Sequence, residues 1–546
     1  MVNLVQRIQV YVQQHGLSYT IYRAGEKGAE RLLKRYHRWW MEHRTSEEEL
    51  ARQRKNPIDA GLISVIVPVY NTDPDMLMEM AQSVMEQTYP HWEAILYDDC
   101  STKQETREML KKIAAMDERI RVHRGEKNQG ISGGSNSAIA LAAGEWIALL
   151  DHDDLITPDA LYCVAKAIID EQPDLIYSDE DKVTENGKTH TDPHFKPDFC
   201  PDNLRSGNYF CHLMVLKKEL IKRAGGFRQA FNGSQDHDLA LRCSELAGKI
   251  VHIPKVLYHW RTVGTSVSHQ NLMKCVNLAR VAVQEHMNRI GWLGTAELHM
   301  GNIRMRYEIK GNPVVGVYIF GNDEAELDRC KAAMEAACWE NKKVITVKAA
   351  SAERYEAMNR VAQSAREDVL LMMDASVQVT DASFIEELLM YAQRDDVGAV
   401  TPELTDRKGK ITHGGFAVGM EHLVQCRQEK LPYHSGGWHL LMQTSHNVAA
   451  VSAACVMIRR DHFIPFDEGY HGGLGAADWS LRLAEKGLRH VFTPHARAVC
   501  ENRELLLLGK KRNADDAARY AKRWPDVKDP CYSGLFSKRK ASYKLK

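Results

Sequence analysis

The sequence predicts an α/β fold: a mostly parallel sheet flanked by helices, laid down twice. Three observations carry that expectation. From Leu62 onward, short β-branched runs alternate with helical segments, which implies right-handed crossovers and parallel strands. Carboxylates stand at the ends of these runs, Asp98 and Asp99 after one and Asp151, Asp153 and Asp154 after another, where ligands of open α/β sheets collect. From Asn312 the alternation starts again, a weak internal repeat.

Residues 1–58 carry 11 Lys or Arg against 6 Asp or Glu and include Lys34, Arg35, Tyr36, His37, Arg38, Trp39 and Trp40, a basic amphipathic pattern of helical period. Two alternatives follow: a helix packed on the next domain with its Trp buried, or a helix docked on an anionic membrane surface. Ile63, Val65, Ile66 and Val67, ending at Pro68, Tyr70 and Asn71, read as a buried strand. A helix over 75–88, a strand Glu93–Asp99, a helix over 103–116, a strand Ile120–Arg124, a helix over 132–143 and a strand Glu145–Asp151 continue the alternation. The second round has strands Val314–Phe320, Lys343–Val347 and Val369–Met373, the last ending at Asp374, with a helix near 353–365. The expected domains are 1–58, 59–305 and 306–533, followed by a solvated basic tail, 534–546.

Composition narrows function. Lys plus Arg (72) equals Asp plus Glu (72), so no bulk positive field exists to hold nucleic acid. The longest nearly apolar run, Val448 to Ile458, is 11 residues, whereas a spanning helix needs about 20. Twelve cysteines without CxxC pairs, and no signal-peptide pattern, suggest free thiols in the cytoplasm. No GxGxxG follows the first strand and no GxxxxGK occurs, which disfavours hydride transfer and ATP hydrolysis.

The chemistry-bearing residues fall in three places. Asp151, His152, Asp153 and Asp154 give a DxD spacing that lets two carboxylates converge on a divalent cation, although Asp before Thr157 and Pro158 also suits a helix cap. Asp236 and Asp238 precede a helix that continues to Arg242, where a cap is again the plain alternative. His259, in Tyr258, His259, Trp260, Arg261, follows a strand-like segment and could be a satisfied core histidine.

Together and in this order the segments SVIVPVYN, YDDCST, NQGISGGSNSAIALAAGEWIALLDHDD, YSDEDK, FKPDF, GNYFCHLMV, GGF, GSQDHDLALR and HIPKVLYHWR, from Leu62 to Ser268, resemble the inverting family 2 glycosyltransferases of GT-A fold. The resemblance is to the branch that builds bacterial surface polysaccharides such as O-antigens and rhamnose-containing glycans. It implies a nucleotide-sugar donor, UDP- or dTDP-linked, and Mn²⁺ or Mg²⁺. Pro68 and Tyr70 match the loop against the nucleoside, Asp99 the carboxylate on the base, and Asp151 and Asp153 the pair around ribose and metal. His259 matches a further metal or pyrophosphate ligand and Asp236 the general base. Asp179, Glu180 and Asp181 match a sugar-contacting loop, with solvated turn acids as the alternative, while Asp238 and Arg242 match residues supporting the donor site. Gly134, Ser135 and Asn136 depart from the family, many of whose members carry an Arg before that Asn. The implied partners are the donor and a growing, lipid-linked glycan at the inner face of the membrane, with a homo-oligomer left open.

Residues 314–533 resemble the second module of tandem members of the branch, in VGAVTPEL, ITHGGFAVG, VSAACVMIRR and DWSLRLAEKGLRHVFTPHARAV. Aligning Leu481 and Arg482 with Leu241 and Arg242 puts Ala476 opposite Asp236. The acidic tip is reduced as well, Met372 falling opposite Asp151 and Asp374 opposite Asp153, and Cys500 stands at the position of the histidine. That pattern implies an inactive module, the alternative being that Asp478 serves as base. A catalytically silent scaffold or glycan-binding subunit is the rival for the whole chain. A processive synthase is disfavoured because Tyr520 stands where the Gln of QxxRW would precede Arg523 and Trp524. A nucleotidyltransferase is disfavoured by the missing Gly-rich basic signature between Val67 and Asp75.

Overall fold

The computed structural model of the chain describes residues 29–262, 272–508 and 512–546. Residues 1–28 of the basic amino-terminal segment and 263–268 of the resembling stretch lie outside the described residues. The described residues divide into two units, 29–199 with 207–291 and 200–206 with 292–546. The division comes earlier than the expected 305/306. The hairpin Gly294–His299 and Asn302–Tyr307 belongs to the second unit, where Tyr391 donates to the Met305 carbonyl at 3.2 Å.

In the first unit, α1 (Ala29–His43) and α2 (Glu47–Lys55) precede β1 (Ile63–Val69), α3 (Pro74–Met85), β2 (Trp92–Asp98), α4 (Gln104–Ala114), β3 (Ile120–Arg124), α5 (Gly130–Leu141) and β4 (Trp146–Leu149). After these come β5 (Leu155–Ile156), α6 (Ala160–Glu171), β6 (Leu175–Thr184), β7 (His190–His194), β8 (Met214–Lys217), α7 (Gln235–Leu246), β9 (Ile250–Thr262) and α8 (Leu272–Arg289). The sheet order is β3-β2-β1-β4-β8-β6-β9-β5, with β7 on β6. The β3-β2-β1-β4 block is parallel and β8 enters antiparallel between β4 and β6. β1 and β2 are buried along almost their whole length, which is why they read as continuous apolar runs rather than alternating ones.

Tyr36, Trp39 and Trp40 on α1 are buried, with Trp39 packed on Phe195 and Trp40 on His190 and His259. The tryptophans therefore serve the packed-helix alternative and present no apolar face for a membrane. Among the described residues no helix is long and apolar enough to cross one.

Among its described residues the second unit repeats seven strands of the first, with no counterpart of β3. Lys342–Lys348, Val315–Gly321, Val369–Asp374, Cys455–Arg459, Val397–Thr405, Arg489–Val499 and Gln378–Val379 lie in that order, with the same parallel and antiparallel pairings as β2-β1-β4-β8-β6-β9-β5. The carboxyl-terminal residues 534–546 are not a solvated tail. Phe536, Ala541 and Tyr543 are buried, and Arg427 donates through Nε to the Tyr543 hydroxyl at 2.7 Å.

Glu403, on Val397–Thr405, is wholly buried. Its Oε1 accepts from Arg497 Nε at 2.6 Å while Oε2 has no partner. Burial pushes its carboxyl up to about 7 against the opposing pull of Arg497. The folded chain thus keeps a proton that the unfolded chain releases near 4.5, so stability present below that pH is lost as pH rises through about 7. Glu403→Gln keeps an oxygen for Arg497 without the buried charge. It is expected to flatten the fall in stability between about pH 4.5 and 7 and to gain about 1–3 kcal/mol over the parent at pH 8. Denaturant unfolding across that range checks it, and an unchanged slope would refute it.

Candidate active site

The site lies beyond the carboxyl ends of β1, β2 and β4, where the parallel strands stop and their loops converge. Pro68 is the penultimate residue of β1 and Tyr70 follows it, 44% exposed. Asp99 follows β2 and is buried. Its oxygens accept from the backbone N–H of Gln129 at 2.8 Å and of Gly130 at 2.8 Å, so it caps α5 from a neighbouring strand. Gly134 sits against this corner: a Cβ there would meet Pro68 at 3.6 Å and Asp99 at 3.7 Å.

After β4 the chain carries the acidic tip. Asp151, Asp154 and His212 each offer a ligand atom within 4.8 Å of the others. Burial raises the Asp151 carboxyl, a rise that His212 opposes and Asp153 and Asp236 reinforce. Asp154 is pushed well above the carboxylate range by burial and by the charges of Asp153 and Asp151. Two carboxylates and an imidazole so arranged fit one hard or borderline divalent cation, which would relieve that repulsion. Asp154 is held in place by the Tyr258 hydroxyl at 2.6 Å and the Arg261 N–H at 2.7 Å.

The expected metal set of Asp151, Asp153 and His259 is not assembled. Asp153 faces His152 at 3.7 Å. His259 is cross-strand from Asp181 and bonds to it through Nδ1 at 2.5 Å. Asp181, His190 and His259 form a second group with ligand atoms within 4.8 Å, covered by α1, whose Tyr36 hydroxyl donates to Asp181 at 2.8 Å. Asp179 and Asp181 also fail to form a sugar-contacting loop, since both lie in β6 with side chains fully buried. Asp179 accepts from the Lys196 N–H at 2.7 Å and bonds to His252 Nε2 at 2.9 Å.

Sequence reasoning missed His212 and the clamp that presents it. Buried Lys196 donates from Nζ to the carbonyls of Phe210 at 2.7 Å and His212 at 2.5 Å, and Glu180 accepts from the His212 N–H at 2.9 Å. Lys196 stands in FKPDF and His212 in GNYFCHLMV, so the signal was present without a contact to interpret it.

Asp236 is in the first turn of α7, partly exposed, and its Oδ2 accepts from Asn208 Nδ2 at 2.9 Å. Its charge is felt at Asp151. Asp238, one step further, is wholly buried and takes both Arg228 Nε at 3.0 Å and Arg242 Nη2 at 2.6 Å. Those guanidiniums hold its carboxyl below the ordinary range despite burial. Asp238 and Arg242 therefore brace the helix that carries Asp236.

Strand register aligns the second unit with the first. Ile63 pairs with Trp146 as Val315 pairs with Val369, so Asp374 stands opposite Asp151 and Ser376 opposite Asp153. This replaces the expected match of Met372 to Asp151. Val377 then occupies the position of Asp154 and Ala454 that of His212. Leu155 pairs with His259 as Gln378 pairs with Val499, so Val499, not Cys500, takes the histidine position. Asp478 is buried and bonded to Arg482 Nε at 2.9 Å, repeating the Asp238–Arg242 brace and leaving Ala476 at the position of Asp236.

Residues 64–224 match the family model described as Glycosyl transferase family 2. The chain is 35% identical to the uncharacterized protein y4gI of Sinorhizobium fredii over 89% of its length and 58% of that protein's. It is 31% identical to the O-antigen biosynthesis protein RfbC of Myxococcus xanthus over 83% of its length and 38% of that protein's. The chain thus spans roughly half or less of these relatives' lengths. Among solved structures, S. aureus TarS 1-349 in complex with UDP-GlcNAc is similar at 22% identity and a TM-score of 0.35, over 41% of this chain and 66% of that one.

Asp99→Ala removes the acceptor for two helix-start N–H groups. It is expected to cost about 1 kcal/mol in denaturant unfolding, in the range of lost helix caps, with Asp99→Asn costing less. Equal stability of Asp99→Ala and parent would refute the capping role.

Proposed function

From the premise that residues 64–224 are a glycosyltransferase family 2 domain, we propose that the first unit transfers a sugar from a UDP- or dTDP-sugar to a growing, lipid-linked cell-surface glycan, inverting the anomeric centre in a metal-dependent displacement. The observation that carries this reading is the convergence of Asp151, Asp154 and His212 at the strand ends, with Asp236 close enough for its charge to act on Asp151.

Asp236 is the base. Asn208 occupies its Oδ2, which orients the carboxylate and leaves Oδ1 to take the proton of the acceptor hydroxyl. As that proton moves to Oδ1, the acceptor oxygen bonds to the anomeric carbon and the bond from that carbon to the diphosphate oxygen breaks on the opposite face. Asp151, Asp154 and His212 would hold Mn²⁺ or Mg²⁺, which supplies charge neutralisation for the leaving diphosphate. Pro68 and the exposed Tyr70 wall the nucleoside, and Asp99 serves it through the helix start it caps. The name of the Myxococcus relative is consistent with a surface-glycan acceptor.

The second unit is catalytically silent in this reading. It keeps Asp374 and the Asp478–Arg482 brace, but has Val377, Ala454 and Ala476 in place of Asp154, His212 and Asp236.

Asp236→Asn is expected to lower kcat by about 10²–10⁴ while the affinity for UDP stays within twofold, and EDTA is expected to abolish turnover of the parent. Assays with UDP-, dTDP- and GDP-sugars, with Mn²⁺, Mg²⁺ or EDTA, check both. Parallel loss of nucleotide binding and transfer in Asp236→Asn would remove its role as base.

A further inference from the structure

The second unit retains a cavity of about 380 Å³ at the carboxyl ends of Val315–Gly321, Lys342–Lys348 and Val369–Asp374, the same place in its sheet as the active site in the first. That volume is in the range of small-ligand sites, about 300–1,000 Å³. Its wall is polar: Asn322, Ser351, Ser376, Gln378 and Asn502, together with charged Glu326, Arg354, Asp374, Arg407 and Glu501.

The charge in this cavity is handled differently from the first site. Asp374, the counterpart of Asp151, is closed off by Arg354, by the Ser376 hydroxyl and by Asn502 Nδ2 at 3.4 Å. A guanidinium of the chain itself thus does what a metal would do in the first unit, and the neighbours that would share a cation are Val377 and Ala454. Arg354 is 4% exposed and lines the cavity, yet its Nε and Nη1 have no hydrogen-bond partner. Buried guanidinium donors left unpaired are costly, and a ligand with acceptor oxygens would satisfy them.

The lining also selects the ligand. Three carboxylates face two guanidiniums, which disfavours a diphosphate, and no aromatic side chain lines the cavity to stack a base. What remains is a compact, uncharged molecule rich in hydroxyl groups, each able to accept from Arg and Asn and donate to Glu, Gln and Ser. We propose that this cavity is a metal-independent binding site for a neutral saccharide. The second unit would then hold glycan without acting on it. This goes beyond the transfer assigned to the first unit and does not depend on that unit's activity.

The test is saturation-transfer difference NMR on the full chain with glucose, galactose, rhamnose, N-acetylglucosamine and UDP, each with EDTA present. At least one neutral sugar is expected to give a signal that falls fivefold or more in the double variant Gln378→Ala/Arg407→Ala and is unchanged in Asp151→Ala. Both replaced cavity residues are at least partly solvent-accessible, and an unaltered thermal unfolding curve verifies that the double variant folds. Donor turnover by the first unit should be the same in the double variant as in the parent. Silence across the sugars, a signal that survives the double variant, or a UDP signal that the double variant removes would each overturn the proposal.

Discussion

A carboxylate at the end of the strand beside the first parallel strand, half-buried in the first unit and buried in the second, is the constraint on which both units turn. In the first unit this is Asp151, and in the second Asp374. Desolvation makes an uncompensated charge there expensive. The first unit gathers more negative charge, Asp154 beside Asp151 with Asp153 and Asp236 near, and sets the imidazoles of His212 and His152 against it at Asp151, with no guanidinium on that carboxylate. The second places Arg354 directly on the carboxylate. The first arrangement remains electrostatically open to a cation. The second is already neutralised.

Much of the surrounding structure maintains that difference. Lys196 and Glu180 fix the backbone that carries His212, and Tyr258 with Arg261 fixes Asp154. The supporting groups lie on β6, on β9 and in the segment after β7, so the acidic tip is held from several sides with little freedom to relax its repulsion. The helix that bears Asp236 is braced separately, by Asp238 with Arg228 and Arg242. The same brace recurs as Asp478 with Arg482. Its survival in a unit with Ala476 in place of Asp236 argues that it serves the helix. A second retained device points the same way: Asn136 bonds both the N–H and the carbonyl of Phe227, and Asn359 does so with Phe466.

The amino-terminal helix illustrates how composition can mislead. Arg and Trp side by side suit a membrane surface as well as a packed helix. Burial decides between them: Trp40 lies edge-on to His259, and Tyr36 donates to Asp181, which fills that polar cluster from the inside of the unit.

The sequence by itself determined the α/β class, the internal repeat, the strand-end carboxylates and the helix that carries Asp236, because these depend on local periodicity and on residues near one another in the chain. Strand ends fell within a few residues of expectation for the same reason. Only the tertiary structure decided partners. His259 went to Asp181 and His212 to Asp151 because strand register, which pairs residues tens of positions apart, sets who meets whom. Register likewise moved Asp374 opposite Asp151, two residues from the expected match to Asp153. Asp99 turned inward to cap a helix that the sequence placed close by but could not orient. Periodicity specifies which face of an element is buried; the three-dimensional packing specifies what each buried charge is buried against.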